Sequence, residues 1–428
     1  MNTLRRLRNF WIPCVATIIV ACLGHAVAQT SYKITDLGTN KSTDNFSMAM
    51  GLNNQGWTLN MDGFVNPPEN FMGTTVANGR AVINRDGINI DLGTLGNPDT
   101  GNSWINWGGI NDRGEAAGMS ETAVPDPNGE DVCGFGTHLT CVPFLWQGGH
   151  MSALPTVGGN DGQAFAINNR GQVVGYSETA DNDTSCPAFA PAPTTLPVLW
   201  EKGQAHPLPL VGSDPDGVVD GINDQGMAVG YSGICTAAIH AVMWKNNTAF
   251  VLQDTGHARS NFAFAINNLG QIVGRVRSLD GSTYVAALWQ PDLSLKILGV
   301  LPGDQAAFAT GINNLGQVVG NNVDSGNNWS HGFIWQNNVM TDINRLIPGD
   351  SNLFVINASN INDRGQISGM AFVHAGPHAG EIHSVLLTPV DESIGTSMAD
   401  FARTHPHANL PANACHHSQR FGPGGSDQ

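Results

Sequence analysis

Seven copies of one polar turn divide the chain, and each copy lies between two short apolar segments. The turn reads Asn, then Asn or Asp, any residue, and Gly, and it begins at Asn53, Asn111, Asn168, Asn223, Asn267, Asn313 and Asn362. Asn and Asp side chains bond to the nearby backbone in turns, and Gly tolerates the positive φ that a type I turn with a bulge requires. Each copy therefore predicts a tight hairpin between two strands.

Two more apolar segments follow each hairpin. The third segment ends in Trp in five copies, at Trp146, Trp200, Trp244, Trp289 and Trp335, and the fourth is a short segment such as residues 249–252. Four antiparallel strands in a repeat of about 40 to 50 residues are typical of β-propeller blades. We therefore predict an all-β fold, a single seven-bladed β-propeller over residues 30–390, with the recurrent Trp side chains packed between blades.

The two ends of the repeat region are complementary. Residues 32–38 match a fourth strand with no unit before it, whereas the last copy has three strands, at 353–361, 366–373 and 383–387, and then stops. We expect the N-terminal strand to pair into the last blade and close the ring, because closure removes the unpaired edges of an open array.

The repeated phrase resembles a known family. The run Gly-Ile-Asn-Asn-Leu-Gly-Gln-Val-Val-Gly at 311–320, the strand that ends in Trp, and the segment Asp-Leu-Gly-Thr-Leu-Gly at 91–96 are similar to the HAF-repeat extracellular family. The resemblance covers nearly all of residues 31–390 and implies a secreted bacterial repeat protein with no settled activity. The His-Ala-Phe triplet that names the family is present only in altered form, at 240–242, 331–333 and 383–385. The resemblance assigns no catalytic residue.

The first 28 residues differ from the rest of the chain. Arg5, Arg6 and Arg8 precede an apolar stretch over residues 10–23, and Ala-Val-Ala at 26–28 offers a cleavage site, which together predict a secretory signal peptide. An alternative is a bacterial lipobox at 19–22, in which Cys22 would be lipidated. No other run is long enough to span a membrane, so we expect a secreted, soluble, monomeric protein. Residues 391–428 lack strand periodicity and are interpreted as a disordered tail.

The charge excludes one class of partner. Without residues 1–28 the chain has 16 basic and 35 acidic residues, a net charge of −19. Phosphate backbones would be repelled, so we expect no nucleic-acid partner. In an oxidising compartment, Cys133 with Cys141 is the obvious disulfide, and Cys186 with Cys235 is possible where their loops are neighbours.

The long insertions predict where a binding site lies. Loops that join strands one to two and three to four share one rim of a propeller, and here they are tight turns. The long segments 62–79, 93–108, 121–142 and 178–196 fall on the opposite rim, which we call the long-loop rim, and variable loops on a rigid scaffold often bind ligands. The candidate ligand contacts are Trp104, Trp107 and Trp329, which lie outside the Trp register, together with Asp161, Asp304 and Asp350.

Two groups of residues have metal-ligand chemistry. Asp126, Asn128 and Asp131, and separately Asp214 and Asp216, offer oxygens at alternating positions, a spacing that suits calcium, although solvated turn residues explain the same pattern. His374, His378 and His383, with Glu381, lie in one loop and could bind Zn or Cu, although a His-rich composition is the plainer explanation. His240 and His331 occupy equivalent positions in their units and are interpreted as structural.

No catalytic motif is present in the sequence. The leading hypothesis is a non-catalytic extracellular binding or adhesion module for a glycan, polymer or protein ligand, with the site on the long-loop rim. No cofactor is required by the sequence, and calcium is the candidate that the acidic loops offer. The alternative is an extracellular hydrolase or lyase that acts on a polysaccharide or polyester at the same rim. Metal scavenging through the His-rich end is a third hypothesis.

Overall fold

The computed structural model describes residues 30–65, 76–187, 192–235, 237–257, 259–324 and 330–390. These residues form 28 β-strands and one 3-10 turn at Ile343–Arg345, so the fold is all-β as predicted. Among the described residues no helix is long and apolar enough to cross a membrane. The predicted signal peptide, the lipobox with Cys22, Trp329 and the predicted tail lie outside the described residues.

The strands follow the repeat. Strand β1 is Tyr32–Gly38. The first and second units contain β2 (Phe46–Leu52), β3 (Thr58–Phe64), β4 (Ala77–Arg85), β5 (Ile88–Asp91), β6 (Ser103–Ile110), β7 (Ala116–Pro125), β8 (Leu139–Gln147) and β9 (His150–Ala153). The third and fourth contain β10 (Gly162–Ile167), β11 (Val173–Asn182), β12 (Pro193–Glu201), β13 (Gln204–Pro207), β14 (Asp216–Ile222), β15 (Ala228–Ile234), β16 (Ala237–Lys245) and β17 (Thr248–Val251). The fifth and sixth contain β18 (Phe262–Ile266), β19 (Ile272–Arg277), β20 (Tyr284–Trp289), β21 (Leu295–Gly299), β22 (Asp304–Ile312), β23 (Val318–Asp324), β24 (Ser330–Gln336) and β25 (Val339–Asp342). The last contains β26 (Leu353–Ile361), β27 (Ile367–Val373) and β28 (Ile382–Pro389).

The strands pair as antiparallel meanders of the β-propeller type. Five sheets have four strands each, in the order of the chain. The sixth has eight strands, because one parallel bridge between Phe46 and Ile382 joins β2 to β28. The first strands of successive units pack against one another, and β26 packs against β2.

The N-terminal strand pairs with the last strand of the repeat region. Strand β1 runs antiparallel to β28, with Tyr32 opposite Pro389 and Asp36 opposite Val385. The expected pairing of the two ends is therefore observed. Tyr32 is buried, and its backbone N–H also bonds to the Leu346 carbonyl at 2.8 Å, which fixes the start of the strand.

The Asn turns have the predicted backbone. In the first copy the Gly56 N–H donates to the Asn53 carbonyl at 3.0 Å, and Gly56 has a φ of +86°. The corresponding Gly of every other copy also has positive φ. This conformation explains why each copy has Gly at this position, since a residue with a Cβ is strained at positive φ.

A β-bulge precedes the turn in the first strand of each unit. In β14 the register shifts between Val219 and Gly221, so Asp220 is the extra residue, and β18 has Phe264 in the same position. The shift in β6 extends from Ile105 to Ile110. Bulges redirect side chains, and the bulge residues Asp220 and Phe264 line a cavity between the units.

The recurrent Trp residues are structural, as predicted. Trp200, Trp244 and Trp289 are almost completely buried. Each indole N–H donates to a backbone carbonyl of the segment that leads into its own unit, for example from Trp200 to Pro155 at 2.8 Å. The two predicted disulfides are also confirmed, between Cys133 and Cys141 and between Cys186 and Cys235.

Candidate functional site

The first Asn of each turn bonds to the next unit. Its Oδ1 accepts the backbone N–H groups two and four residues later, as Asn53 does from Gln55 and Trp57. Its Nδ2 donates to the carbonyl of the equivalent Asn in the following unit, at 2.9 to 3.1 Å in all seven copies. The seventh of these bonds runs from Asn362 to Asn53. The sequence predicts the turn but not this hydrogen bond between units.

The second turn residue forms an outer layer of polar side chains. In each unit its backbone N–H donates to the side-chain oxygen of the equivalent residue in the next unit, at 2.7 to 3.0 Å. In chain order these residues are Asn54, Asp112, Asn169, Asp224, Asn268, Asn314 and Asp363. Amide and carboxylate alternate along the chain except at Asn268 and Asn314, which are both amides. Asp224 accepts the amide N–H groups of both Asn169 and Asn268.

These two layers surround a cavity of about 180 Å³, which we call the cup. Below the polar layers, the cup is lined by Trp107, Asp220, Phe264, Thr310 and Asn360. Trp107 and Phe264 come from the second and fifth units, which are not neighbours, yet their ring centroids lie 5.8 Å apart. The two rings therefore meet across the central channel and form an aromatic floor.

Asp220 is the acid in the wall of the cup. Its side chain is deeply buried, and its Oδ2 has no hydrogen-bond partner. Burial raises the pKa of Asp220 well above its usual value, and the charge of Arg275 opposes that shift only in part. At the mouth, burial raises the pKa of Asp224, but hydrogen bonds from Asn169 and Asn268 outweigh it and leave the pKa below its usual value. One cavity thus contains two carboxyl groups with opposite pKa shifts.

The cup lies on the rim of the tight turns, opposite the long-loop rim where we expect a site. Trp107 lies in the cup because β6 begins at Ser103, so residues 103–108 are strand and not loop, and the wide bulge turns Trp107 inward. Trp104 is buried against Phe135, with ring centroids 5.8 Å apart, so it belongs to the core. Asp220 and Phe264 were missed, because their role depends on the bulge.

The three acidic ligand candidates lie apart from the cup. Asp304 is the first residue of β22, and its carboxylate lies 4.0 Å from the His331 ring. Asp350 is exposed in the segment before β26. Asp161 is buried immediately before β10, where its Oδ1 accepts the Cys141 N–H.

Asp161 belongs to an acidic cluster on the long-loop rim. One carboxylate oxygen each from Asp126, Glu130 and Asp161 lie within 4.8 Å of one another. Glu178 is adjacent, and its carboxylate accepts the Asp161 N–H at 3.3 Å. Burial raises the pKa of Asp161 to about 7 and that of Glu178 to about 8, and the neighbouring acids add to both shifts.

The other predicted calcium ligands point elsewhere. The Asn128 amide donates to Glu130, and one Asp131 oxygen accepts the Gly136 N–H. Asp214 accepts from Ser232 and contacts His240 at 3.0 Å, whereas Asp216 accepts from Thr195. The predicted alternating oxygens of one loop therefore do not come together as calcium ligands. Instead, Asp126 and Glu130 of the second unit meet Asp161 of the third unit.

The predicted His cluster forms only in part. His378 and His383 lie beside Glu381, but His374 faces the Ser351 carbonyl. Both ring nitrogens of His383 contact carboxylates, Nδ1 with Asp36 at 2.9 Å and Nε2 with Glu381 at 2.9 Å. Burial lowers the pKa of His383, but the two carboxylates outweigh it and raise the pKa above its usual value. This arrangement favours the protonated ring, which joins β28 to Asp36 of β1.

No known protein-family model and no curated protein matches the chain. Similar solved structures include virginiamycin B lyase from Staphylococcus aureus, at 10% identity and a TM-score of 0.47, covering 85% of this chain and 100% of that one. The β-propeller domain of the Trilobed protease from Pyrococcus furiosus is 9% identical with a TM-score of 0.44, covering 86% of this chain and 98% of that one. A gluconolactonase from Xanthomonas campestris is 9% identical with a TM-score of 0.35, covering 84% and 90%. At these values the similarity carries no activity over to this chain. Its own strand pairing defines it as a β-propeller protein.

Proposed function

We propose that the chain is a closed seven-bladed propeller, exported from the cell, that binds a sugar unit of an extracellular glycan in the cup without catalysis. Closure is supported by the pairing of β1 with β28 and by the Asn362 to Asn53 bond, which continues the pattern of the other six. Export is supported by the two disulfides, which persist in oxidising compartments.

The aromatic floor beneath a polar mouth carries the proposal. Trp107 is half-buried at the base of the cup, and an indole face packs well against the C–H face of a sugar ring. The carboxylates of Asp112, Asp224 and Asp363 at the mouth accept hydrogen bonds from hydroxyl groups. The cup of about 180 Å³ is below the usual range for drug-sized ligands, so it admits a single small unit.

The test is retention of the mature protein, residues 29–428, on a panel of extracellular polysaccharides and glycoproteins, followed by calorimetry with the retained glycan. We expect Trp107→Ala to weaken binding at least tenfold and Trp107→Phe to weaken it less. Trp57→Ala is the matched control, because Trp57 is also half-buried on the tight-turn side but does not line the cup. Retention of no glycan, or equal binding by Trp107→Ala and the wild type, would refute the proposal.

A hydrolase or lyase that acts on an extracellular polymer is the second candidate, and one observation favours it. Asp220 and Asp224 line the same cavity with pKa values shifted in opposite directions, which is the pattern of a general acid and a carboxylate base. The retained polymer should therefore also be assayed for turnover. Turnover that Asp220→Asn and Asp224→Asn each abolish, with unchanged melting temperature, would favour this candidate over simple binding.

A further inference from the structure

We propose that Asp126, Glu130 and Asp161 bind one Ca²⁺ ion that fastens the long loop of the second unit to the third unit. The site is separate from the cup and does not depend on the glycan proposal. Asp126 and Glu130 belong to the disulfide-bonded loop between β7 and β8, and Asp161 precedes β10. The ion would therefore bridge two units on the long-loop rim.

Two buried oxygens point to a missing partner. Asp126 is 7% exposed and Asp161 is 1% exposed, and the Oδ2 atom of each has no hydrogen-bond partner. The other oxygen of Asp126 accepts the N–H groups of Asn128 and Glu130, so the loop aims its carboxylate at the cluster. A buried carboxylate oxygen without a donor is costly, and carboxylates that face one another require a cation or a proton between them.

The repeat supplies a reference for the pair formed by Asp161 and Glu178. In the second unit the same place is occupied by Asn102 and Glu121, because the Glu121 N–H bonds to the Asn102 carbonyl just as the Glu178 N–H bonds to the Asp161 carbonyl. The Asn102 amide donates to the Glu121 carboxylate at 2.7 Å. Asp161 replaces this donor with a second acid, so a cation takes over the role of the amide.

The next unit shows how an acid pair is satisfied without an ion. Asp183 and Asp216 occupy the places of Asp126 and Asp161, since Asp183 also begins its loop by bonding across to the returning chain. The Asp183 carboxylate accepts the Ser185 hydroxyl at 2.6 Å and the Cys235 N–H at 2.7 Å. The Asp126 Oδ2 atom has no such donors, which distinguishes the two sites.

The chemistry of the cluster selects calcium among common cations. All three ligands are carboxylates, without the nitrogen or sulfur ligands that zinc sites use. Ca²⁺ accepts six to eight oxygens in flexible geometry, so backbone carbonyls and water can complete the shell, whereas Mg²⁺ demands a near-ideal octahedron that a surface loop rarely provides. Extracellular modules bind calcium with dissociation constants of about 0.1 to 1 mM.

The experiment is calorimetric titration of CaCl₂ into EDTA-treated, desalted mature protein, with melting temperatures measured with and without Ca²⁺. We expect one Ca²⁺ per chain, weaker binding of Mg²⁺, and a melting temperature that rises with Ca²⁺. Asp161→Asn restores the amide found at Asn102, so it should fold without the ion and lose at least tenfold in Ca²⁺ affinity. Asp216→Asn, the equivalent change in the next unit, should bind Ca²⁺ like the wild type.

Each result decides the proposal. Absence of Ca²⁺ binding to the wild type would mean that a shared proton satisfies the acids, and it would overturn the site. Ca²⁺ binding that Asp161→Asn and Glu130→Gln leave unchanged would place the ion elsewhere and would also overturn it. Because no glycan is present in this titration, failure here leaves the cup proposal untouched, and failure of glycan binding leaves this one untouched.

Discussion

The Asn362 side chain donates a hydrogen bond to the Asn53 carbonyl at 2.9 Å, although 309 residues separate the two. The bond has the same donor, acceptor and direction as the one from Asn168 to Asn223 at 2.9 Å, inside the repeat array. A contact between distant units is therefore geometrically equivalent to one between consecutive units. The last turn and the first turn behave as neighbours.

This equivalence predicts equal costs for two substitutions. Asp in place of Asn keeps the oxygen that accepts the turn N–H groups but removes the Nδ2 donor and leaves an acceptor facing a carbonyl. Loss of a buried hydrogen bond of this kind costs about 1 to 3 kcal/mol. We expect Asn362→Asp and Asn168→Asp to lower the free energy of unfolding by similar amounts, measured by urea denaturation.

The two sites are well matched, because each Asn lies two residues before an Arg and four residues before a Gln that accepts its amide. Leu315→Ala is the control for a turn substitution without such bonds, since Leu315 is 70% exposed. A near-wild-type stability for Asn362→Asp beside a destabilised Asn168→Asp would show that the ring is open in solution.

The ion pair between His383 and Asp36 predicts a pH window of greatest stability. The pKa of His383 is raised, so its contribution is full below the unfolded pKa of about 6.5 and is lost as pH rises through the folded value. Burial raises the pKa of Asp36, but the bond to His383 outweighs it and lowers the pKa, so this contribution is lost as pH falls through the folded value. The pair should therefore stabilise the fold most between about pH 4 and 6.5.

Thermal unfolding from pH 4 to 9 tests this window in the wild type and in His383→Gln. We expect a difference of about 1 kcal/mol at pH 6 that shrinks toward pH 9, a modest value because the Asp36 side chain is 40% exposed to solvent. Glu381 also contacts His383, and the His378 ring lies 5.4 Å from it, so Glu381→Gln should reproduce part of the effect. A difference that is independent of pH would mean that His383 is neutral.

The repeated turn can be predicted from the sequence because the interactions that stabilise it are local. Gly56 needs positive φ, and Asn53 bonds to N–H groups two and four residues away, so one copy contains the whole explanation. The short apolar segments beside each turn similarly located the strands, and the two ends were complementary in strand number. The repeat also held an unused signal, since the first turn position is Asn in all seven copies although the turn itself accepts Asp.

The cup and the acidic cluster could not be predicted from the sequence in this way. Trp107 faces the channel because β6 is bulged, and the sequence treats residues 103–108 as part of a loop. Asp161 meets Asp126 because consecutive units pack side by side, a contact that spacing along one loop cannot reveal. The available signal for Asp161 was the comparison with Asn102 at the same place in the preceding unit.

The buried carboxyl group of Asp62 should make the wild type less stable as pH rises from 4 to 7. Its side chain is 1% exposed, and burial raises its pKa to about 7, although the Ser47 hydroxyl donates to it. Over this interval the unfolded chain releases the Asp62 proton while the folded chain holds it, so ionisation favours unfolding. Asp62→Asn removes this penalty, which is at most about 4 kcal/mol.

The variant should therefore be more stable than the wild type at pH 8 and close to it at pH 4, as measured by urea denaturation at both values. Asp161 and Glu178 also have raised pKa values, but they are present in both proteins and cancel in the difference. A variant that is less stable than the wild type at pH 8 would indicate that the carboxylate is needed in its ionised form.

The two disulfides should contribute unequally. Cys186 and Cys235 are 49 residues apart and join the third and fourth units, whereas Cys133 and Cys141 are 8 residues apart within one loop. A cross-link restricts the unfolded chain more when it closes a longer loop, and chain entropy gives about 4 kcal/mol for the long loop and about 2.5 kcal/mol for the short one. The paired Ala variants, unfolded in guanidinium, should lose more free energy of unfolding when residues 186 and 235 are replaced than when residues 133 and 141 are replaced.

The disulfide between Cys186 and Cys235 also positions the Cys235 N–H that bonds to Asp183. Its removal should therefore expose the loop after β11 to proteolysis, while removal of the disulfide between Cys133 and Cys141 should affect only the loop after β7. Equal losses, or cleavage in the wrong loop, would contradict this assignment.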